Sequence, residues 1–368
     1  MERYRASLKV MFVIIVTAVI TLSCGSPEQR AEKIINTYMQ KTGTVGLSVA
    51  VVKDNKIIYT HAFGMSNIEK QTDLRTDDIF RIASISKSFT TTALLTLVEK
   101  GAVSLDSDVS DIIGFKIRNP KYPEVPITVK MLLSHSSSLN DSQEYYSLDF
   151  INPAVNPDFA KCYNDYMPGT KYEYCNLGFN TLGTIVEKVS GIRFDKYVSQ
   201  NVLQPLNLKA SFNVDDFKGI TFTTLYTPDT TGLSVSGKIN FIPSESAYLS
   251  RAPIIDSGKY IQGYSAPLFS PTGGMKISAP DLAKYMMMHM NYGIEPQSGV
   301  RIIKEETSKM MQTPVIETGG EGKYCFALNQ ITNLIPGETM TGHTGSAYGL
   351  LSAMYFQPEK EIRYRHDN

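Results

Sequence analysis

Arg81-Ile-Ala-Ser-Ile-Ser-Lys-Ser-Phe-Thr90 runs without a break into an apolar helical pattern, Thr91–Lys100, that Gly101 ends. A serine that opens a helix and a lysine three positions later lie one turn apart on the same face, so Lys87 can point back at the Ser84 hydroxyl. The helix start adds free N–H groups and a positive dipole end, which favour negative charge beside that oxygen. Ser84 therefore reads as a nucleophile and Lys87 as its base. The lysine must first shed its proton. Moving from about 10.4 to about 7 is ~3.4 pK units, or ~4.6 kcal/mol, to be supplied by desolvation and neighbouring positive charge.

An S-x-x-K arises by chance about once in a chain of this length, so the rest of the same chemistry has to follow it. Ser84-x-x-Lys87 is the only one present. Tyr174-Cys175-Asn176 is the only Y-x-N, placed after the Pro168-Gly169 turn and before a helical pattern from Leu177 to Val189. A phenol there can relay a proton, and an amide can orient a lysine or bind a substrate carbonyl. The third part is a strand bearing Lys or His, then Thr or Ser, then Gly. Lys41-Thr42-Gly43 fits literally, but it ends the first helical pattern, where Gly is a common C-cap and Lys suits the dipole, so it reads as a decoy. His343-Thr344-Gly345 closes a late strand-like run, after the serine and tyrosine motifs. Ser138-x-Asn140 imitates an S-x-N motif and is set aside as loop.

With these parts in order, the chain resembles the serine penicillin-recognising hydrolases, in the branch that holds class C β-lactamases, D-alanyl-D-alanine carboxypeptidases of similar build, and related esterases and D-aminopeptidases. The resemblance covers about residues 30–357 and is carried by Phe80–Thr90, Leu132–Leu139, Pro168–Leu208, Pro271–Met287 and Gly342–Gly349. It implies an α/β, β-lactamase/transpeptidase-like fold: an antiparallel sheet built from both chain ends, flanked by helices, with a mainly helical domain inserted. It also implies a serine hydrolase acting through an acyl-enzyme on Ser84, on a β-lactam, D-alanyl peptide or ester. In that scheme Lys87 is the base, and Tyr174 takes the serine proton and passes it to the leaving group. Asn176 orients substrate and Lys87, and His343 and Thr344 recognise substrate and adjust the charge around Tyr174. Beside Gly345, the backbone N–H of Ser346 joins that of Ser84 in the oxyanion hole. The alternative from another class is a penicillin-binding sensor, or an inactive or truncated homologue that does not turn over.

Two departures from the family pattern carry expectations. His343 stands where class C β-lactamases have lysine; an imidazole of ordinary pKa, about 6.5, is mostly neutral at about pH 7, so carboxylate-bearing substrates are expected to be held more weakly above that pH. Similar proteins also continue past Phe356 with further strand and a C-terminal helix, whereas this sequence passes through Pro358-Glu-Lys-Glu to Asn368. A truncated chain of lowered stability is expected, with Ile34, Ile35, Tyr38 and Met39 missing part of their cover.

The remaining sequence fits an exported enzyme. Its 368 residues are 42% hydrophobic, enough for one large core or two smaller ones, and 36 basic residues balance 36 acidic ones. No basic stripe suggests nucleic acid, and no zinc motif or phosphate-binding glycine loop competes, so neither a cofactor nor a metal is expected. His61, His135, His289 and His366 lack ligand spacing and read as ordinary surface or core residues. Arg3, Arg5 and Lys9 precede the apolar run Val10–Ile20, so residues 1–23 read as a secretory signal. Ser23-Cys24 resembles the end of a bacterial lipoprotein signal; a lipid on Cys24 is then the expected membrane contact, in the periplasm or on its membrane. Cys162, Cys175 and Cys325 remain, able to form at most one disulfide within the chain, and whether Cys162 pairs with Cys175 is left open.

Periodicity predicts a helix over Pro27–Gln40, then strands Val45–Val52 and Lys56–Phe63 joined by a hairpin at Asp54-Asn55. A sheet part over 28–83 and 270–357 frames a helical insert over 84–210, with short helices such as Thr128–His135, and a long loop region over 211–270. Helices are predicted again at Ala279–Tyr292 and Lys304–Met311. Strands follow at Lys323–Ile331, Glu338–His343 and Gly349–Phe356.

Overall fold

A computed structural model describes residues 26–229, 240–320 and 322–358. Residues 1–25, which include the expected signal and Cys24, lie outside that range, as does 359–368.

Helix α1, Pro27–Thr42, opens with a capping box between Ser26 and Gln29 and ends at Gly43, whose φ of 68° is the left-handed cap. The Lys41-Thr42-Gly43 triplet is thus a helix terminus. Strands β1 (Gly46–Lys53) and β2 (Lys56–Asn67) form an antiparallel hairpin across Asp54 and Asn55, both with positive φ, and β2 continues into the short β3 (Thr72–Asp73). Ile35 and Met39 of α1 are buried against Phe63 and Leu47 of this hairpin. Ile34 and Tyr38 are half-buried and line an open groove with Lys33, Thr37 and Lys41.

Strand β4 (Phe80–Arg81) leads through one 3-10 turn, Ala83–Ile85, into α2 (Ser86–Glu99), which is buried from Ser86 to Leu97. A helix buried on every side sits at the centre of a core, and α2 does so although it carries Lys87 and several Ser and Thr residues. Short helices α3 (Val109–Ile113) and α4 (Val129–Leu133) and loops then lead to α5 (Asn176–Ser190), which packs along α2 and stops at left-handed Gly191. Helix α6 (Phe194–Val198) continues into a π turn. The described residues of 211–270 hold only short pieces: β5 (Tyr226–Pro228), β6 (Phe241–Pro243), α7 (Ala252–Asp256) and single 3-10 turns.

Strand β7 (Lys276–Ile277) pairs with β4, placing Arg81 opposite Lys276. Helices α8 (Ala279–Met290) and α9 (Glu305–Gln312) follow, and then five antiparallel strands in spatial order β12-β11-β10-β9-β8. These are β8 (Ile316–Glu317), β9 (Gly322–Tyr324), β10 (Asn329–Ile331), β11 (Met340–Ala347) and β12 (Leu350–Phe356).

Both chain ends thus supply antiparallel strands, as expected. Among the described residues the longer strands fall into two sheets, β1–β3 and β8–β12, with α8 touching β1, β2 and β12, and the short β4–β7 pair stands apart from both. The single strand expected over Lys323–Ile331 is a hairpin. Ala327 takes φ 56°, and the buried run Cys325–Leu328 turns the chain while looking apolar and strand-like in sequence. One hydrophobic cluster extends from Ile82 through α2 and α5 to Phe356, so helical and sheet parts share a core.

Candidate active site

Ser84 sits where three segments meet. The β4–β7 pairing fixes its approach, and the Ile82 N–H donates to the Met275 carbonyl at 2.9 Å. Ala83, just before it, has φ 49°, an uncommon conformation for a residue with a side chain. The Ser86 hydroxyl holds this turn by donating to the Ala83 carbonyl at 2.5 Å while accepting from the Met275 N–H at 2.9 Å. Buried Arg81 adds donor bonds to the carbonyls of Gly273 and Ala247 at 2.8 and 3.2 Å. Ser84 therefore lies in the 3-10 turn, two residues ahead of the first residue of α2, instead of opening that helix. The left-handed Ala83 causes the difference.

Lys87 is fully buried one turn on. Its amine donates to Ser84 Oγ at 3.3 Å, to Asn176 Oδ1 at 2.8 Å and to the Thr272 carbonyl at 3.0 Å. Burial pushes its pKa down to about 7, while the charges of Asp141 and Cys175 act in the opposite sense. The sequence led us to expect positive neighbours to share that work. Desolvation does it here against acidic ones.

Tyr174 and Asn176 come in from the loop before α5. The Tyr174 ring centroid lies 4.6 Å from Lys87 Nζ, so phenol, amine and hydroxyl form one cluster. Asn176 Oδ1 also accepts from Thr272 Oγ1 at 2.6 Å, and its Nδ2 donates to Asp141 at 2.9 Å. The amide is thereby turned with its oxygen toward the lysine.

His135 brackets Tyr174 from behind. Its carbonyl accepts from the Glu173 N–H at 2.8 Å and its Nδ1 from the Cys175 N–H at 3.1 Å. The ring lies 4.3 Å from that of Tyr174. Burial foremost, then the charges of Lys87 and His343, hold its pKa well below the ordinary value, so the ring is neutral with its proton on Nε2. Spacing alone had assigned His135 an ordinary place; the structure puts it in contact with Tyr174. Asp141 and Thr272 also escaped the sequence reading, because each is a single residue in a loop and its partners are distant in sequence. The available signals were that His135 and Asp141 lie within or two residues beyond the Leu132–Leu139 stretch and that Thr272 lies within Pro271–Met287.

Strand β11 carries His343, Thr344, Gly345 and Ser346 past the turn bearing Ser84. A methyl at Gly345 would stand 2.4 Å from the Ile82 carbonyl oxygen and 3.0 Å from Ser84 N, so only glycine permits this approach. The backbones of Gly345 and Ser84 are near neighbours as a result. His343 is buried, with Nε2 at 3.1 Å from the Tyr324 hydroxyl and Nδ1 at 2.5 Å from the Thr344 carbonyl. Its ring centroid is 6.1 Å from that of Tyr174.

Cys162, Cys175 and Cys325 are all free and buried, which settles the pairing left open above. Ser138 is held by Asn119 Nδ2 at 3.0 Å in a loop turn, consistent with setting its motif aside. Among the described residues, no group of three or more His, Cys, Asp or Glu side chains is placed to hold a metal, and no helix is long and apolar enough to cross a membrane.

The Ser84 hydroxyl, the buried Lys87 amine, the Tyr174 phenol and the glycine-bearing strand β11 thus meet at one turn of a β-lactamase/transpeptidase-like fold. The Beta-lactamase family model matches residues 31–363, and the chain belongs to that family. The structure is similar to that of the octameric penicillin-binding protein homologue from Pyrococcus abyssi, with 28% identity, a TM-score of 0.67, and coverage of 86% of this chain and 67% of that one. Protein flp of Staphylococcus aureus (strain N315) is 28% identical over 185 residues, 49% of this chain. Penicillin-binding protein 4* of Bacillus subtilis (strain 168) is 27% identical over 169 residues, 44% of this chain. The matched part spans little more than a third of these two relatives, 37% and 36% of their lengths.

Proposed function

We propose that the protein is a serine hydrolase that forms an acyl-enzyme on Ser84 from a β-lactam, a D-alanyl peptide or an ester. The observation that carries this is the buried Lys87 amine, 3.3 Å from Ser84 Oγ and lowered to about 7, where a lysine can accept a proton. Ser84 Oγ attacks the substrate carbonyl, its proton passing to Lys87 with Tyr174 beside it. The carbonyl oxygen takes negative charge against the N–H groups of Ser84 and Ser346. Tyr174 gives its hydroxyl proton to the leaving nitrogen or oxygen and is reprotonated by the Lys87 ammonium, and water releases the acyl group by the reverse route. The signal and Cys24 read from the sequence would put this reaction outside the cytoplasm, at a membrane surface.

Incubation with a fluorescent penicillin, followed over minutes on a denaturing gel, tests the proposal alongside D-alanyl peptides and short-chain esters. Transient label marks a β-lactamase and stable label a peptidase trapped by penicillin. Turnover of ester without label marks an esterase. Stable label with no turnover of any substrate would instead mark a sensor, and neither label nor turnover would overturn the proposal.

A further inference from the structure

Helix α5 begins at Asn176 with Cys175 at its N-cap, a residue whose side chain makes no capping bond. Its first N–H groups need acceptors from elsewhere. Asp141, 35 residues upstream of Asn176, supplies them. Oδ2 accepts from the Asn176 N–H at 2.9 Å and Oδ1 from the Leu177 N–H at 2.9 Å. The same carboxylate reaches the catalytic cluster: Oδ2 accepts from Asn176 Nδ2 at 2.9 Å, and Oδ1 from the Cys175 thiol at 3.3 Å. An amide has one oxygen and one nitrogen, so fixing Asn176 Nδ2 on Asp141 decides that Oδ1 faces Lys87 and Thr272.

We propose that Asp141 is the positioning residue of this site, locking the Asn176 amide so that Lys87 is held against Ser84. This inference rests on the acyl-enzyme reading above and adds a member to its machinery. The carboxylate touches neither nucleophile nor substrate site and acts through Asn176. It has a second effect on the amine. Lys87 is faced by Ser84 from its own turn, by Tyr174 and Cys175 from the loop before α5, and by His135 from the loop after α4, with His343 on β11 behind His135 and Tyr174. Burial raises the Cys175 thiol well above its ordinary pKa and keeps His135 neutral. The Asp141 charge thus opposes the desolvation of Lys87.

A fluorophosphonate probe reads the site without knowledge of the substrate. The Ser84 Oγ–P bond forms, the P–F bond breaks, fluoride leaves, and the serine proton goes to Lys87. Labelling rate constants are measured against pH for full-length wild type, Asp141→Asn and Asp141→Glu, with circular dichroism confirming the fold. Asp141→Asn is expected to label at least ~10-fold more slowly on its alkaline plateau, with the acid-limb midpoint below that of wild type because the charge that raised Lys87 is gone. Asp141→Glu keeps the charge but displaces it, so it labels more slowly at an unshifted midpoint. This second variant decides the matter if Asp141→Asn does not fold. An Asp141→Asn profile that overlays wild type, or an Asp141→Glu enzyme at full rate, overturns the positioning role alone. A wild type that does not label at Ser84 overturns both this inference and the acyl-enzyme reading.

Discussion

Lys87 shows most clearly what the site costs the fold. The folded chain gives up this proton near pH 7, whereas an unfolded lysine holds it to about 10.4. Between those values the unfolded state binds more protons, so the lysine's contribution to stability improves as pH rises through the window and is least favourable below about 7. Lys87→Met, an apolar side chain of similar length, removes that penalty. The variant is expected to abolish Ser84 labelling yet gain on the order of 1 kcal/mol by urea denaturation at pH 6, with the gain shrinking toward pH 10. A variant less stable than wild type at both pH values would show that the hydrogen bonds of the amine outweigh its desolvation. The S-x-x-K spacing made this pair legible in the sequence. Asp141 was not legible, because a lone aspartate in a loop has no periodic signature, and what marks it is the uncapped start of a distant helix.

Between elements, the segment around Pro271 and Thr272 is gripped from two sides. Thr90 Oγ1 of α2 donates to the Pro271 carbonyl at 2.7 Å, Lys87 donates to that of Thr272, and Asn180 Oδ1 of α5 accepts from the Thr272 N–H at 3.2 Å. Gly183 of α5 lets the helix meet this segment: a methyl there would lie 2.2 Å from Pro271 Cγ, on a ring that cannot swing away. Gly183→Ala is expected to destabilise by about 1–3 kcal/mol in urea melts and to slow Ser84 labelling, since displacing Thr272 removes an acceptor of the Lys87 amine. Unchanged labelling in a destabilised variant would mean that the segment does not help to place Lys87. Most element types were readable because period and end signals agree, as in α1 with caps at both ends, α5 with Gly191 at its C-terminus, and the Asp54-Asn55 hairpin. The 3-10 turn at Ser84 and the β9–β10 hairpin were not. Both depend on non-glycine residues with positive φ, Ala83 and Ala327, which tertiary packing imposes.

Over the whole molecule, the order of three short motifs indicated the family, and the shared core explains how segments from residue 84 to residue 346 reach one point. The division into two sheets was not readable, because alternation along a strand does not name its neighbour. Substrate preference depends on the same large-scale assembly. His343 ties β11 to Tyr324 of β9. If its proton helps to hold carboxylate-bearing substrates, kcat/KM for them falls from about pH 5.5 to about 8.5 relative to neutral esters, and His343→Lys flattens that ratio. A ratio already flat in the wild type would remove His343 from substrate recognition.

The central claim is that the Ser84 hydroxyl becomes acylated because the buried Lys87 amine stands next to it. Intact-protein mass spectrometry with peptide mapping, after brief exposure to a panel of β-lactams, D-alanyl peptides and short-chain esters, tests this most directly. An acyl adduct on Ser84 in wild type, absent from Ser84→Ala and Lys87→Met, is the predicted result. An adduct at another residue, or an equal Ser84 adduct in Lys87→Met, would contradict it.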